Sequence, residues 1–249
     1  MTPLPAHITS RRNPAVAAVA RLHRVKHRRV TGLSVIEGPQ LVEEAIDNGV
    51  KPKEIYGLDD DDSARLASRA GIPLVTVSEP VLRKLSATET PQGPVAVIDI
   101  PQPAIPPNKR LLVAWGVADP GNCGTMLRSA AAFGYAYASG PGSADVWSPK
   151  VLRSAAGGHF QTEIGIVSTL EDLSGRLLVG TVAEGGEVPG PVAQNAAVII
   201  GSEARGLPSQ IVDACDRLMT IPMPGGTESL NAAVAGAIVA YLGTLSTHD

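Results

Sequence analysis

The sequence has few aromatic side chains, and this scarcity limits both its core and its surface. Phe, Trp and Tyr together make up 3% of the 249 residues. Val, Ile, Leu and Ala must therefore fill the core, in line with a hydrophobic content of 44%. Few rings remain to stack on exposed bases, which argues against a nucleic-acid reader built on an aromatic platform.

Long apolar runs and paired cysteines are also missing. The best candidate run, Leu230–Leu242, is shorter than the roughly 18 residues that cross a bilayer, and Asn231 interrupts it. We therefore expect no membrane partner. Cys123 and Cys215 lie far apart and belong to no CxxC or Cys/His pattern. We expect two reduced, buried thiols in a cytoplasmic protein that has no metal site.

Several signatures of nucleotide binding and catalysis are absent. No GxGxxG follows a predicted strand and no GxxxxGK[ST] occurs, so neither a dinucleotide site nor a P-loop has support. His159 is the only histidine between residue 108 and His248, which leaves no Ser–His–Asp arrangement. The acidic run Asp59–Asp62 predicts a helix N-terminus rather than a metal site, because four adjacent carboxylates cannot all face one ion.

Acidic residues are missing from the start of the chain. The net charge is −3, yet no Asp or Glu precedes Glu37. Seven basic residues fill this part of the sequence: Arg11, Arg12, Arg21, Arg24, Lys26, Arg28 and Arg29. The asymmetry predicts a segment that contacts the phosphates of a nucleic acid. One alternative is a solvated basic helix face. Another is a transit peptide, because this part of the chain is rich in Arg and poor in acidic residues.

Proline marks a boundary between two parts of the chain. Residues 101–108 contain four prolines in eight positions, which is typical of a stiff linker. We predict one domain over 1–100, a linker over 101–108 and a second domain over 109–249. The first domain reads as a small α/β unit. Its first helix is predicted to begin at an Asn13 cap with Pro14 in the first turn, and to run to about Lys26.

The second domain alternates strands and helices. Its strands, such as Val198–Ile200, are apolar without alternation, as expected when both faces are covered. This pattern predicts an α/β fold with a parallel sheet and helices on both faces. In the terminal helix, Ala and Gly form a smooth surface, and Leu230, Val234, Ile238 and Leu242 form an apolar stripe. Ligands of such sheets bind beyond the carboxyl ends of the strands.

Three polar, glycine-containing loops follow strands of this sheet. They are Asp119–Arg128, Gly201–Pro208 and Ile221–Asn231. In the first loop, Asn122 is predicted to cap the following helix. In the last loop, Thr227 or Ser229 is predicted to cap the terminal helix, where unpaired N–H groups attract polar ligands.

These three loops resemble the signature motifs of the SpoU/TrmH family. Its members are S-adenosylmethionine-dependent RNA ribose 2′-O-methyltransferases within the SPOUT superfamily. The matching residues are Asn122–Gly124 with Arg128, Gly201–Leu207, and Ile221–Met223 with Glu228–Asn231. The N-terminal half resembles the family's substrate-binding domain, which is similar to ribosomal protein L30e. The residues that carry this second resemblance are Ser10–Pro14, Ile36–Gly38 and Pro91–Gly93.

The resemblance implies a fold and an assembly that the sequence pattern does not reveal. Members of the family tie the C-terminal segment into a trefoil knot that holds the cofactor, S-adenosylmethionine. They form homodimers through the motif helices of the catalytic domain. By match to the family, the cofactor-contacting residues are Thr181, Gly201, Ile221, Met223 and Leu230.

The resemblance also implies catalytic residues. Arg128 would anchor the adjacent phosphate and stabilise oxyanion character at the ribose hydroxyl, since an arginine that stays protonated is a poor base. Asn122 would orient Arg128 or the ribose, and Ser229 and Asn231 would hydrogen-bond substrate or cofactor. Glu203 would pair with Arg128 or fix the turn of the second loop, and a purely structural anchor is the alternative.

Alternatives remain for the RNA substrate and for the reaction. Large-subunit ribosomal RNA is the expected partner, and transfer RNA is the alternative. A catalytically idle RNA-binding or ribosome-assembly factor on the same scaffold is a rival from a different functional class. Methylation of a base rather than a ribose is a third interpretation.

Overall fold

The computed structural model describes residues 7–245. The first six residues, on which the transit-peptide alternative partly falls, and His248 lie outside the described residues. The chain forms two compact units. One contains the N-terminal residues up to Pro101 together with Trp147–Arg153, and the other contains Gln102–Val146 and the chain from Ser154 onward.

The N-terminal unit is built on a mixed five-stranded sheet in the order β1-β4-β3-β5-β2. Strands β1 and β3 run parallel to β4, whereas β5 is antiparallel to both β2 and β3. The elements are β1 (His7–Ile8), α1 (Pro14–Arg21), α2 (Val25–Thr31), β2 (Leu33–Glu37), α3 (Pro39–Asp47), β3 (Glu54–Gly57), α4 (Asp61–Ala70), β4 (Leu74–Val77), α5 (Glu79–Leu85) and β5 (Val95–Asp99). The predicted α/β character of this part is thus observed.

The first helix begins as predicted but ends early. The Asn13 side chain accepts a hydrogen bond from the Ala15 N–H at 2.9 Å, and Pro14 occupies the first helical position. The predicted continuation to about Lys26 is wrong, because α1 ends at Arg21 and a separate helix, α2, follows. Arg24 has an extended backbone, with φ −98° and ψ 129°, which breaks the helical path.

Arg28 is buried, which contradicts its predicted place in an RNA-contacting surface. Its side chain is 3% exposed, and its Nη1 donates to the Leu22 carbonyl at 2.6 Å. That carbonyl lies where α1 ends, so Arg28 satisfies a backbone acceptor that the break between the helices would leave unpaired. Arg28 therefore stabilises the α1–α2 junction.

The C-terminal unit is built on a six-stranded sheet in the order β11-β9-β10-β6-β7-β8, and every pair of neighbours is parallel. The prediction of a parallel sheet is confirmed. The elements are β6 (Leu111–Ala114), α6 (Pro120–Ala132), β7 (Ala136–Ser139), α7 (Pro149–Ala155), β8 (Ile164–Ile166), β9 (Leu177–Thr181), β10 (Ala196–Ile200), α8 (Ser209–Ala214), β11 (Arg217–Met219) and α9 (Ala232–Thr244). Two short 3-10 helices cover Gly158–Phe160 and Leu170–Leu173.

Helical segments cover both faces of this sheet, as the unalternating apolar strands predicted. On one face, Val113 and Ile199 pack with Leu173 and with Ile211 of α8. On the other face, α6 and α9 pack against each other and against β6 and β10. Gly236 of α9 permits this approach, since a Cβ there would lie 3.3 Å from the Met126 side chain.

The terminal helix buries the small residues of its predicted smooth surface and leaves the apolar stripe on the outer side. Ala232, Ala233, Gly236, Ala240 and Gly243 are buried, together with Val239. Of the stripe, Val234 is 46% exposed, and Leu230, Ile238 and Leu242 are only partly buried. Small residues let α9 lie close to α6, so the larger side chains are left on the outer side of the helix.

The proline-rich stretch packs on the C-terminal unit. The Ala104 N–H donates to the Ile164 carbonyl at 2.9 Å, and Arg176 Nη2 donates to the Pro106 carbonyl. No helix in residues 7–245 is long and apolar enough to span a bilayer. Within the same residues, no three His, Cys, Asp or Glu side chains are grouped so that they would hold a metal ion.

Candidate active site

The three polar loops meet at one edge of the parallel sheet. They follow β6, β10 and β11, and the carboxyl ends of parallel strands lie at the same edge. A cleft opens there, which we call the carboxyl-edge cleft. Its lining comes from the ends of β9, β10 and β11, from the loops that follow these strands, and from the first turn of α9.

All five residues predicted to contact a cofactor line this cleft. They are Thr181, Gly201, Ile221, Met223 and Leu230. The Thr181 hydroxyl donates to the Ile199 carbonyl at 3.1 Å, which ties the end of β9 to β10. The wall is otherwise apolar side chain and glycine backbone, as is common in small-molecule sites.

Gly201 allows the loop after β10 to fold over the strand end. A Cβ at this position would lie 2.3 Å from the Gly206 carbonyl carbon and 2.5 Å from the Leu207 nitrogen. The Gly206 N–H donates back to the Ser202 carbonyl at 2.8 Å, and Gly206 has φ +63°. Only glycine fits such a close passage of two backbone segments.

Sequence reasoning missed several lining residues. Val182, Ala183, Met219, Ala232 and Ala235 all line the cleft, and none carries a polar side chain that would mark it in a sequence. Only their positions in the sequence could have indicated that they line the cleft, because each lies at the end of a parallel strand or at the start of a helix.

A hydrogen-bonded chain of side chains links the three loops. Asn122 Nδ2 donates to Glu203 Oε1, and Asn122 Oδ1 accepts a hydrogen bond from Asn231 Nδ2 at 2.9 Å. The first, second and third loops are therefore joined through one amide. Asn122, Glu203 and Asn231 were predicted separately as catalytic residues, and the structure brings them together.

Two predicted helix caps are wrong. Asp119, not Asn122, caps α6, and its carboxylate accepts a hydrogen bond from the Asn122 N–H at 2.9 Å. Asn231, rather than Thr227 or Ser229, caps α9 and accepts from the Ala233 and Val234 N–H groups at 2.9 and 3.2 Å. Because the Asp119 carboxylate caps α6, the Asn122 side-chain amide is available for the hydrogen-bonded chain.

Arg128 stands apart from the other predicted catalytic residues. It is exposed on α6, does not line the cleft, and has no hydrogen bond or ion pair with any residue that the structure describes. The predicted pairings of Arg128 with Glu203 and with Asn122 are not observed, because these two side chains bond to each other. Ser229 lines the cleft and is exposed.

The backbone of α6 at Arg128 is held by the neighbouring 3-10 helix. A Cβ on Gly158 would lie 3.1 Å from the Arg128 Cα, so the glycine permits close packing. The adjacent His159 is buried and donates from Nε2 to the Val146 carbonyl at 2.7 Å. Burial lowers the pKa of His159 to about 4, which keeps its imidazole neutral at physiological pH.

The two cysteines are free thiols, as predicted. Cys123 is buried on α6 and donates to the Val117 carbonyl at 3.0 Å. Burial raises its pKa, so the thiol stays protonated and unreactive. Cys215 is only partly buried, and burial raises its pKa to about 11.

The predicted RNA-contacting residues of the N-terminal unit are exposed, apart from Arg28. Six of the seven have exposed side chains: Arg11, Arg12, Arg21, Arg24, Lys26 and Arg29. They flank the α1–α2 junction and the turn before α1. His23, in that junction, is bonded through Nε2 to the Leu85 carbonyl at 2.9 Å. We call the exposed residues from Arg21 to Arg29 the basic segment.

Both halves of the chain match models of known protein families. A model of the SpoU rRNA methylase family matches residues 109–241, and a model of the MRM3-like substrate-binding domain matches residues 13–96. A relative from Bacillus subtilis, named 23S rRNA (guanosine(2553)-2'-O)-methyltransferase RlmP, is 35% identical over 94% of this chain and 97% of its own.

Two solved structures are also similar along nearly the whole chain. A structure of an RNA 2′-O ribose methyltransferase is 32% identical with a TM-score of 0.77, and the match covers 95% of this chain and 97% of that one. A structure of an AdoMet-bound rRNA methyltransferase from Sinorhizobium meliloti is 27% identical with a TM-score of 0.82, covering 95% and 96%. The chain therefore belongs to the SpoU rRNA methylase family.

Proposed function

We propose that this protein transfers a methyl group from S-adenosylmethionine to a ribose 2′-hydroxyl in RNA, with large-subunit ribosomal RNA as its substrate. One observation carries the proposal. The five residues matched to cofactor contacts line a single cleft, and Glu203 of that cleft is bonded to the Asn122–Asn231 pair.

The lining of the cleft suits the cofactor. When bound, S-adenosylmethionine would supply an electrophilic methyl on a positively charged sulfonium. Ile221, Met223 and Leu230 offer apolar walls for a purine, and the backbone at Gly201 offers polar groups beside them. Glu203 is the one charged side chain among the described lining residues, and its negative charge favours a cationic ligand.

The polar chain would position the loops rather than take part in proton transfer. Asn231 uses Oδ1 to cap α9 and Nδ2 to bond Asn122, so its polar atoms are already engaged. Ser229 lines the cleft without a hydrogen bond to any described residue, and we assign it to substrate or cofactor contact. Aligning the ribose hydroxyl with the methyl in a dry cleft would supply most of the rate acceleration.

Arg128 is the proposed contact to the RNA beside the reacting ribose. Its guanidinium is exposed and unpaired among the described residues, so it is available to a phosphate. The guanidinium would anchor that phosphate and stabilise negative charge that develops on the attacking oxygen.

The names of relatives support ribosomal RNA as the substrate. The Bacillus subtilis relative is named as an enzyme of 23S rRNA that acts on a guanosine 2′-oxygen, and the Sinorhizobium meliloti structure is titled an rRNA methyltransferase. The basic segment supports RNA as the partner of the N-terminal unit, because its side chains are exposed and no acidic residue lies within it.

The finer features of the fold and assembly belong to the same proposal. We assign 1–100 to an L30e-like RNA-binding domain, 101–108 to a linker and 109–249 to a cytoplasmic, homodimeric catalytic domain with a trefoil knot. Packing of α9 on α6 and β10, and the Val192 N–H to Gly243 carbonyl bond of 3.2 Å, support the knot. The exposed outer side of α9, with Val234 and Tyr241, supports the dimer.

Calorimetric titration of the full chain with S-adenosylmethionine tests the assignment. We expect saturable binding to the wild type, unchanged binding to Arg128→Ala, and strongly weakened binding to Leu230→Asp. Absence of binding to the wild type would favour the idle RNA-binding factor and overturn the proposed activity.

A further inference from the structure

The N-terminal unit contains a polar cavity with a volume of about 200 Å³. It lies between the β2–α3 turn at Glu37–Gly38 and the loop of residues 86–93, and Arg153 completes its lining. We propose that this cavity binds a single unpaired nucleobase of the substrate RNA, and we call it the base pocket. The proposal rests on the proposed function, since it assumes that the protein binds RNA.

The charges of the base pocket cancel each other. Glu37 Oε1 accepts a hydrogen bond from Arg153 Nη1 at 2.6 Å, and Oε2 accepts from Ser86 Oγ at 2.7 Å and from the Ala87 N–H at 2.9 Å. The carboxylate is therefore held in place with its oxygens occupied. Because the Arg153–Glu37 pair is neutral overall, the cavity offers a phosphate no net attraction, and an uncharged polar group suits it better.

The remaining lining offers contacts that suit the faces and edges of a base. Pro91 and Val95 supply apolar surface. Gln92 and Thr90 line the cavity with exposed side chains that form no hydrogen bond with any described residue. A glutamine amide presents one donor and one acceptor side by side, which matches the edge of a nucleobase. The Arg153 guanidinium retains further N–H donors after bonding Glu37.

The cavity is large enough for one ring system. A protein cavity of roughly 150 Å³ accepts a benzene molecule. A volume of about 200 Å³ therefore accommodates one planar heterocycle. Specific recognition of RNA commonly uses unpaired bases that turn out of the strand, because their edges are then accessible.

The base pocket adjoins the basic segment. His23, at the α1–α2 junction, is bonded to the Leu85 carbonyl, and Leu85 directly precedes Ser86 of the pocket. Exposed Arg21 and Arg24 flank His23. RNA phosphates held by the basic segment would therefore lie beside the opening into which one base turns. Phosphate contacts would position the strand, and the pocket would read the base.

Binding measurements with two oligomers test this inference. The probes are a short single-stranded RNA of mixed sequence and an oligomer of equal length made of abasic sugar phosphate, both titrated against the full chain at several salt concentrations. We expect the wild type to prefer the RNA. We expect Gln92→Ala to weaken binding of the RNA by about tenfold, with no change for the abasic oligomer or in the salt slope.

Two further variants separate the base pocket from general effects. Gln194→Ala removes an exposed glutamine of the C-terminal unit and should change neither affinity. Arg24→Gln should weaken the binding of both oligomers to the same extent and reduce the slope of log affinity against log salt. An equal effect of Gln92→Ala on both oligomers, or no effect on either, would overturn the base pocket.

The same experiment distinguishes the base pocket from the proposed function. If Gln92→Ala binds RNA like the wild type while the wild type methylates RNA, the pocket is wrong and the function stands. If the wild type neither binds the RNA nor transfers a methyl group, both are overturned.

Discussion

The Asn122 and Asn231 side chains are hydrogen-bonded at 2.9 Å although they are 109 residues apart in sequence. Asn122 also donates to Glu203, so one neutral amide holds the loops after β6, β10 and β11 together. Since Asn231 caps α9, the start of the terminal helix is fixed by the same contacts. The position of each loop at the carboxyl-edge cleft thus depends on the other two.

The hydrogen-bond donor of the Asn122 side chain should be essential for activity. In Asn122→Asp, a carboxylate replaces the amide donor and faces the Glu203 carboxylate, so the two loops are pushed apart. We expect the rate of methyl transfer to fall by roughly 100-fold, which is the order of loss that a small misplacement of reacting groups causes. Steady-state kinetics with substrate RNA would measure this.

A compensating change provides the control for Asn122→Asp. Adding Glu203→Gln restores a donor opposite the new carboxylate, so the double variant should recover much of the lost rate. Strict additivity of the two single losses would mean that the Asn122–Glu203 contact has no influence on the site.

Gly201→Ala should impair both stability and cofactor binding. The added Cβ would lie 2.3 Å from the Gly206 carbonyl carbon, so the loop after β10 must move away from the cleft. We expect a loss of roughly 1–3 kcal/mol in the free energy of unfolding, typical of overpacking, and weaker binding of S-adenosylmethionine. Denaturant unfolding and calorimetry would measure the two effects.

Gly190→Ala is the matched control for that change. Nothing lies within 4 Å of a Cβ at Gly190, and its φ is not positive, so stability and binding should stay near those of the wild type. Equal effects of the two alanine substitutions would contradict the close backbone passage at Gly201.

The basic segment should contribute to RNA affinity through charge alone. Arg24→Gln with Arg29→Gln removes two exposed charges, so the slope of log affinity against log salt should fall by about 1.4 for single-stranded RNA. Arg28→Gln should instead lower the thermal stability, because Arg28 is buried against the Leu22 carbonyl. An unchanged salt slope in the double variant would indicate that the segment is only a solvated surface.

His159 should make the protein less stable in mild acid. Burial lowers its pKa to about 4 from the 6.5 of an exposed histidine, so the unfolded chain takes up the proton first as the pH falls. Stability is therefore unaffected above pH 6.5 and lost progressively between pH 6.5 and 4. Between pH 6.5 and 5 the expected loss is about 2 kcal/mol.

His159→Gln tests this origin of the pH dependence. The substitution keeps an N–H donor for the Val146 carbonyl but has no titrating group, so unfolding free energies measured at pH 6.5 and 5 should lie closer together than in the wild type. Equal slopes in the two proteins would assign the acid sensitivity to other groups.

The parts of the site that follow from local chemistry were predictable from the sequence. The resemblance to the family pointed to Gly201 and Ile221, which follow β10 and β11, and to Leu230, which precedes α9. The parallel order of the strands brings the loops that hold them to one edge of the sheet. No knowledge of side-chain packing is needed to predict that residues at these positions lie close together.

The remaining features depend on long-range contacts that periodicity does not encode. Arginine is typical of the protein surface, so the sequence gives no sign that Arg28 is buried. The break between α1 and α2 leaves the Leu22 carbonyl unpaired, and the buried Arg28 side chain bonds to it. The Asn122 amide is free for Glu203 because Asp119, three residues earlier, takes the capping position. The packing of Trp147–Arg153 with the N-terminal unit, which brings Arg153 to Glu37, has no local signal either.

The most direct test is mass spectrometry of nucleosides from ribosomal RNA that has been incubated with the protein and S-adenosylmethionine. The RNA should come from cells lacking the gene, with transfer RNA as a parallel sample and Arg128→Ala as the inactive control. We predict a new 2′-O-methylated nucleoside in large-subunit RNA with the wild type and none with Arg128→Ala. A methyl group on a base, methylation of transfer RNA alone, or no methylation at all would contradict the account.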